Sequence, residues 1–269
     1  MSSQKLSSWF LWLYVLLFLF IMLSPLVVMG GAALNDSRFP SVYPWKGFTT
    51  RWFVDLWDDD RMWIAGRNTV LVALGVVAMS IPIGTAGAIL INSLKGVTRS
   101  VVYGFMVAPI LTPGAVIGIS ALLFWRQMGV NTGLHLSALG QTSFIAAYVM
   151  LLVLARLQSF DPGLEEAALD LGASHAQVMR RILLPHLYPA LGAGAIIGFF
   201  QSVENFNVTL FTRGAADTLT VYVGSKVRTG TPPTINALAL ILITITVVAT
   251  IIYEIMRRRA EKRLAITDA

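Results

Sequence analysis

The sequence contains no cysteine, which excludes a disulfide framework and any metal site built on thiolates. Charge is scarce as well: Lys, Arg, Asp and Glu make up 13% of the residues against 56% hydrophobic, a balance that cannot be buried in one soluble core. The three histidines, His135, His175 and His186, have neither zinc-ligand spacing nor a serine or carboxylate arrangement that would form a triad. No G-x-x-x-x-G-K loop occurs, so a phosphate cradle of that type is lacking. With no acid–base or nucleophile cluster, an enzyme is the weakest reading. There is also no linker, low-complexity tract or alignable repeat, and one domain over residues 1–269 is the simplest count.

What the chain does have is long apolar runs and a mean hydropathy of +0.71. Six runs can each cross a hydrocarbon core of about 30 Å, which takes roughly 20 helical residues. They lie at Trp9 to Leu34, Asn68 to Ile91, Val101 to Trp125, Ala138 to Leu157, Leu187 to Phe211 and Asn236 to Met256. Continuous apolarity without a two-residue alternation argues for helices over barrel strands. Lys5 before the first run and Gly30 to Ala33 after it imitate a signal peptide. The run is longer than the roughly 7 to 15 apolar residues of such a peptide, however, and reads as a span. The expected fold is therefore an all-α membrane protein of six transmembrane helices, with membrane lipid as solvent.

Orientation follows from basic residues near the span ends. Arg257, Arg258, Arg259, Lys262 and Arg263 follow the last run, and Lys95 and Arg99 lie between the second and third. These should face the cytoplasm, and an even number of spans puts both termini inside. The net charge of +6 could suggest nucleic acid, but the basic residues sit at span boundaries and no soluble domain presents them as a patch. No nucleic-acid partner is expected.

Between the fourth and fifth runs, at about 161–185, lies a short amphipathic segment. Asp161-Pro162 is a good amino-terminal cap, and Leu164, Ala167, Ala168 and Leu171 then share one helical face. Gly172 ends that helix, since glycine takes the left-handed conformation without strain. Ser174 and Gln177 read as a capping box opening a second helix, whose stripe of Val178, Ile182 and Leu183 runs until Pro185 stops it. A helix, a tight turn and a second helix outside the bilayer suit docking into a groove on another protein.

The spacing Glu166-Ala167-Ala168, Gly172, Ile182, Leu184 and Pro185 resembles the EAA loop of permease subunits in bacterial ABC importers. Two other stretches, Asn35 to Phe39 with Trp45 to Phe53, and Arg228 to Leu238, are similar to the second permease subunit of spermidine/putrescine importers. The resemblance covers nearly the whole chain. It implies a multi-pass subunit of the bacterial inner membrane that hydrolyses nothing itself. Its implied partners are an ATPase dimer that holds the MgATP, a second permease, a periplasmic solute-binding protein and a small-molecule solute. No cofactor is expected on this chain. Glu166, Ala167 and Gly172 are implied to carry the contact with the ATPase.

A polyamine path needs carboxylates and aromatic faces to compensate an alkylammonium that loses its water. Glu204 is the candidate, near the outer end of the fifth run; Gln201, Glu204, Asn205 and Val208 are spaced to share one face. Trp45, Trp52, Trp57 and Trp63 are expected to anchor the outer interface, with Trp45 or Trp52 as a further contact for solute or binding protein and Trp45 counted with the substrate path. Where the polyamine permease has two adjacent aspartates, this chain has Glu204 and Asn205, and Thr112-Pro113-Gly114 replaces a second acidic position. A polyamine and a smaller amine or zwitterionic or anionic amino compound thus both stay open as solute. Pro82, Pro109 and Pro113 are expected to kink helices, and Gly84, Gly87, Gly114 and Gly118 to let helices approach closely. A secondary transporter would account for six spans and Glu204 but not for a docking segment.

Overall fold

The computed structural model describes residues 3–230 and 232–267. Among them the only extended pairing is an isolated antiparallel bridge between Asn35 and Phe48; the rest of the ordered backbone is helical. The helices are α1 (Ser3–Leu34), α2 (Arg51–Trp57), α3 (Asp60–Ser93), α4 (Gly96–Leu111), α5 (Gly114–Gln127), α6 (Leu134–Leu157), α7 (Pro162–Asp170), α8 (His175–Val178), α9 (Leu184–Val203), α10 (Asn207–Thr212), α11 (Leu219–Arg228) and α12 (Thr234–Thr267). A π-helical turn, Met179–Leu183, joins α8 to α9.

Among the described residues, five helical runs are long and apolar enough to cross a membrane: Trp9–Leu34, Asp60–Ser93, Leu134–Leu157, His175–Val203 and Thr234–Met256. The third expected span is not one rod. It is α4 and α5, bent by 106° at Thr112-Pro113, and a sixth crossing exists only if that pair is counted as one. Pro113 explains the bend, because it lacks the N–H that would continue α4 and forces Thr112 into the extended conformation (ψ 131°). Pro82, by contrast, sits inside an unbroken α3.

The chain divides into two compact units, residues 1–60 with 223–269 and residues 61–222. In the first, α1 packs along α12, and α2 also meets α12. α1 is exposed on every side from Trp9 to Leu23, Phe10, Leu16 and Phe20 included, and α12 exposes Ile245 and Ile252, as helices solvated by lipid do. Lys226 pairs with Asp59 at 2.9 Å. The side chains of Lys5, Arg257, Arg259, Lys262 and Arg263, which bear on orientation, lie outside the described residues.

Between α1 and α2 the loop is built on Asn35, whose side chain is buried. Its Nδ2 donates to the carbonyls of Ser41 (2.8 Å) and Pro44 (3.1 Å), and its Oδ1 accepts from the Lys46 N–H (2.8 Å). Its own carbonyl accepts from Trp52 Nε1 at 2.9 Å. Trp52 is therefore a buried member of this knot rather than an interface anchor, and Arg51 covers its ring at 4.1 Å while pairing with Asp36.

The second unit is organised around α6, a helix apolar on most sides and accordingly the most buried of the spans. Val149, Met150, Val153 and Leu157 of α6 pack with Ala88 and Ile91 of α3 and with Leu187 and Ala190 of α9. Gly84 permits the contact with α3, since a Cβ there would lie 2.6 Å from the Ala146 carbonyl oxygen. At the start of α11, Thr69 accepts from the Leu219 N–H (2.7 Å) and Asn68 donates to the Asp217 carbonyl (2.9 Å), so α3 caps that helix.

Candidate functional site

The segment 161–185 begins as its sequence dictates. Asp161 Oδ1 accepts from the Gly163 N–H at 2.9 Å, with Pro162 in the first turn of α7. The helix closes with Gly172 at φ +84°, the Gly172 N–H bonding Leu169 (2.9 Å) and the Ala173 N–H bonding Ala168 (3.0 Å). That pair is a Schellman ending, which satisfies the last carbonyls through a left-handed glycine. Ser174 and Gln177 then exchange both capping-box bonds, at 2.7 and 3.3 Å. Glu166 and Ala167 stand exposed, as do the apolar Leu164 and Leu171, the latter at 88%; Ala168 is half-buried.

The second helix does not stop at Pro185. It continues from His175 to Val203 as one run, so the second helix of the segment and the fifth span are a single element. Pro185 removes one backbone donor and crowds the carbonyl one turn back; widening the turn at Met179–Leu183 accommodates both without a break. Ile182 and Leu184 are half-buried on this run, Pro185 is exposed, and Val178 and Leu187 are buried.

At the base of the segment, Arg156 at the end of α6 donates from Nε to the His186 carbonyl, and Phe160 packs edge-on against the His186 ring at 5.2 Å. The segment is thus clasped where it leaves α6 and where it joins α9.

A second site lies where two helices are interrupted. α9 ends at Val203 and α10 begins at Asn207, so the fifth expected span, to Phe211, is also broken. This interruption adjoins the α4–α5 bend: a Cβ on Gly114 would be 3.1 Å from the Asn207 Cβ, and one on Gly118 only 3.0 Å from the Val208 Cα. Between the two interruptions is a cavity of about 260 Å³ lined by Pro109, Ile110, Thr112, Gly114, Ile117, Phe144, Tyr148, Gln201, Glu204, Asn205, Phe206 and Asn207. Non-helical backbone at membrane depth is tolerated where it lines a cavity or is buried in protein.

Gln201, Glu204 and Asn205 are brought together here as expected, but Val208 is not on their face. It is buried against Gly118 and Gly140, because the break rotates α10 away from the phase of α9. Asn205 has a structural duty as well, its Oδ1 accepting from the N–H groups of Val208 (3.1 Å) and Thr209 (3.4 Å). Glu204 is the one carboxylate among the described residues of the lining, and its neighbours are amides and the aromatic rings of Phe144, Tyr148 and Phe206. Trp45 belongs to the other unit, exposed on the loop that Asn35 organises.

Sequence reasoning missed Phe144 and Tyr148, which stand one turn apart on α6 with rings 6.5 Å apart. It also missed a buried polar network in which Gln141 joins Ser202 (2.6 Å) and Thr209 (2.8 Å) while Ser137 meets Thr212 (2.9 Å). The signal was polar residues four apart, Ser137 and Gln141, in an otherwise apolar helix. A larger open hollow of about 440 Å³, lined by Arg99, Tyr103, Leu151, Leu154 and Gln158 among others, lies toward the other end of α6 and carries a cation instead of a carboxylate.

Residues 80–265 match the family described as the binding-protein-dependent transport system inner membrane component. The putrescine transport system permease protein PotI of Escherichia coli K12 is 32% identical over 268 residues, covering 96% of this chain and 94% of its own length. The spermidine/putrescine transport system permease protein PotC of the same organism is 29% identical over 239 residues, covering 88% and 90%. In fold, the chain is similar to a chain of the crystal structure of a bacterial alginate ABC transporter bound to a pentasaccharide-loaded periplasmic protein, with a TM-score of 0.70, 18% identity and 93% and 92% coverage. The chain belongs to the family of binding-protein-dependent transport system inner membrane components, as an ABC-importer permease subunit.

Proposed function

We propose that this permease carries a polyamine or related amine through the cavity between the two helix interruptions, with Glu204 as the carboxylate that pairs with an ammonium group. The observation that carries this reading is Glu204 standing among aromatic rings and amides at an irregular corner of a spanning helix. A carboxylate offsets the lost hydration of an alkylammonium, and ring faces attract the same charge. The names of PotI and PotC, putrescine and spermidine/putrescine permeases, point the same way.

In this reading the chain crosses the bacterial inner membrane six times with the α4–α5 pair as one crossing, and both termini are cytoplasmic. It forms one transmembrane domain that pairs with a second permease about a pseudo-twofold axis. Segment 161–185 then docks on an ATPase dimer through Glu166, Ala167, Ala168 and Gly172, while Ile182, Leu184 and Pro185 carry the docked turn into α9. Closure of the ATPases on ATP moves the docked segments and opens the pair toward a loaded periplasmic binding protein; hydrolysis returns it to the inward-facing state. Trp45, exposed on the loop held by Asn35, is assigned to the solute path as well.

The amides of Gln201, Asn205 and Asn207 around a single carboxylate favour a second reading, a zwitterionic amino compound. The test is ATP-dependent uptake by the complete importer reconstituted with its ATPase, partner permease and binding protein, offering labelled spermidine, putrescine and a zwitterionic amino compound. Polyamine uptake that collapses in Glu204→Gln supports the proposal. Uptake of the zwitterion alone, unchanged in that variant, would overturn both the polyamine and the role of Glu204.

A further inference from the structure

We infer that Gln141 is a positioning residue for the solute site: its amide holds open the interruption between α9 and α10 that turns Glu204 into the cavity. The inference rests on reading that cavity as the solute path, and its geometric part can be tested without it.

The interruption is written only in part by its own residues. From Phe199 to Thr212 the chain has neither glycine nor proline, and by composition the run should continue as one helix. It stops at Val203 and resumes at Asn207, where Asn205 caps the new helix by accepting from the Val208 and Thr209 N–H groups, and Thr220 takes up the Asn205 carbonyl. The carbonyl of Asn205, which in an unbroken helix would accept from the Thr209 N–H, instead accepts from the hydroxyls of Thr209 (2.9 Å) and Thr220 (3.1 Å). The Thr209 N–H turns to the Asn205 side chain.

Gln141 is the group that bridges the gap. Its Oε1 accepts from Ser202, before the interruption, and its Nε2 donates to Thr209, after it; all three residues are buried. The oxygen and nitrogen of one amide are only about 2 Å apart, whereas residues seven apart in an unbroken helix differ by roughly 10.5 Å of axial rise. Bonds of 2.6 and 2.8 Å from a single amide therefore hold the two hydroxyls closer together than a continuous helix would place them. Glu204 lies inside the clasped interval. The Ser137–Thr212 bond also ties α6 to α10 but touches only one side of the interruption, so it makes an internal control.

Gln141→Met keeps the volume and loses both bonds. The hydroxyls of Ser202 and Thr209 can turn to carbonyls of their own helix, as Thr209 already does, so the variant leaves no orphan that would block folding. The experiment has two arms, both on the assembled importer. The first measures solute transported per ATP hydrolysed, a ratio that a mere loss of assembled complexes does not move. Gln141→Met is expected to lower it roughly tenfold and Ser137→Ala to leave it within about twofold. Equal ratios in wild type and Gln141→Met, or an equal fall in both variants, overturn the proposal.

The second arm uses spin labels on Ile197→Cys and Leu210→Cys, introduced into a chain with no native cysteine. An unbroken helix separates these positions by roughly 20 Å along its axis. The distance should be shorter in the parent and lengthen toward that value in Gln141→Met; an unchanged distance distribution overturns the clasp. If Glu204→Gln leaves uptake intact, the cavity reading fails while the label distance still decides the role of Gln141.

Discussion

The guanidinium Nε of Arg156 lies 3.0 Å from the carbonyl oxygen of His186, and Nε2 of His186 lies 3.2 Å from the carbonyl oxygen of Arg156. A ring nitrogen facing a carbonyl must carry the proton, so the two residues bond each other's backbone. Losing the charged donor in Arg156→Leu should cost about 1.5–3 kcal/mol, seen as earlier thermal unfolding of the solubilised protein. Arg156→Lys, a point charge without the planar fork, should recover only part of it.

Gly172 has φ +84°, and a Cβ there would meet no atom within 4 Å. A substitution is therefore opposed by backbone strain alone, about 1–2 kcal/mol for a residue forced into the left-handed region. Gly172→Val should weaken co-purification of the ATPase, whereas Gly172→Asn, which tolerates that conformation, should retain it. Equal retention in both would remove Gly172 from the docking contact.

Tyr148 presents its ring to the cavity that holds Glu204. A ring face beside an ammonium contributes about 0.5–2 kcal/mol, so Tyr148→Leu should reduce polyamine uptake by a factor of roughly 2 to 30. Tyr148→Phe should stay near wild type if the face, and not the hydroxyl, makes the contact. A Phe variant as impaired as the Leu variant would assign the effect to the hydroxyl.

Gly84 and Gly87 lie on the same helix and separate two kinds of close packing. A Cβ at Gly84 would sit 2.6 Å from a backbone oxygen of α6, while one at Gly87 would be 3.4 Å from the flexible Met106 sulfur. Gly84→Ala should destabilise by about 1–3 kcal/mol and Gly87→Ala by much less, measured by thermal unfolding in detergent.

On the loop between α1 and α2, Asn35→Ala removes the partners of two carbonyls and one N–H, whereas Trp45→Ala removes an exposed ring. Both should lower binding-protein-dependent uptake, and only Asn35→Ala should expose the loop to protease. Normal uptake in Trp45→Ala would take that residue out of the solute path.

Features encoded within a few residues were legible in the sequence. The cap at Asp161, the glycine ending at Gly172 and the box at Ser174 and Gln177 each depend on neighbours close in the chain, and each stands as its residue types imply. The apolar runs were legible because lipid imposes their length. Features set by distant partners were not. The interruption at 204–206 has no glycine or proline; Asn205 caps the helix that follows, and α6 and Thr220 hold the two sides. Pro185 looks like a terminator until the π-helical turn beside it is seen. Val208 was misplaced for the first of these reasons, and Trp52 because its indole N–H finds a carbonyl 17 residues away.

The π-helical turn at Met179–Leu183 also acts as a gear tooth between residues 161–178 and the span. Val178 and Leu187 are nine residues apart, which in a regular α-helix sets them about 180° out of phase. Both are nevertheless buried, because one extra residue in the wide turn takes up about 100° and brings Val178 back toward the stripe formed by Leu187, Ala190 and Gly194. The angular setting of α7 and its glycine ending is therefore fixed by that single supernumerary residue. Deleting any one of the five would swing α7 and its glycine ending by about a quarter turn while leaving every residue of α7 unchanged.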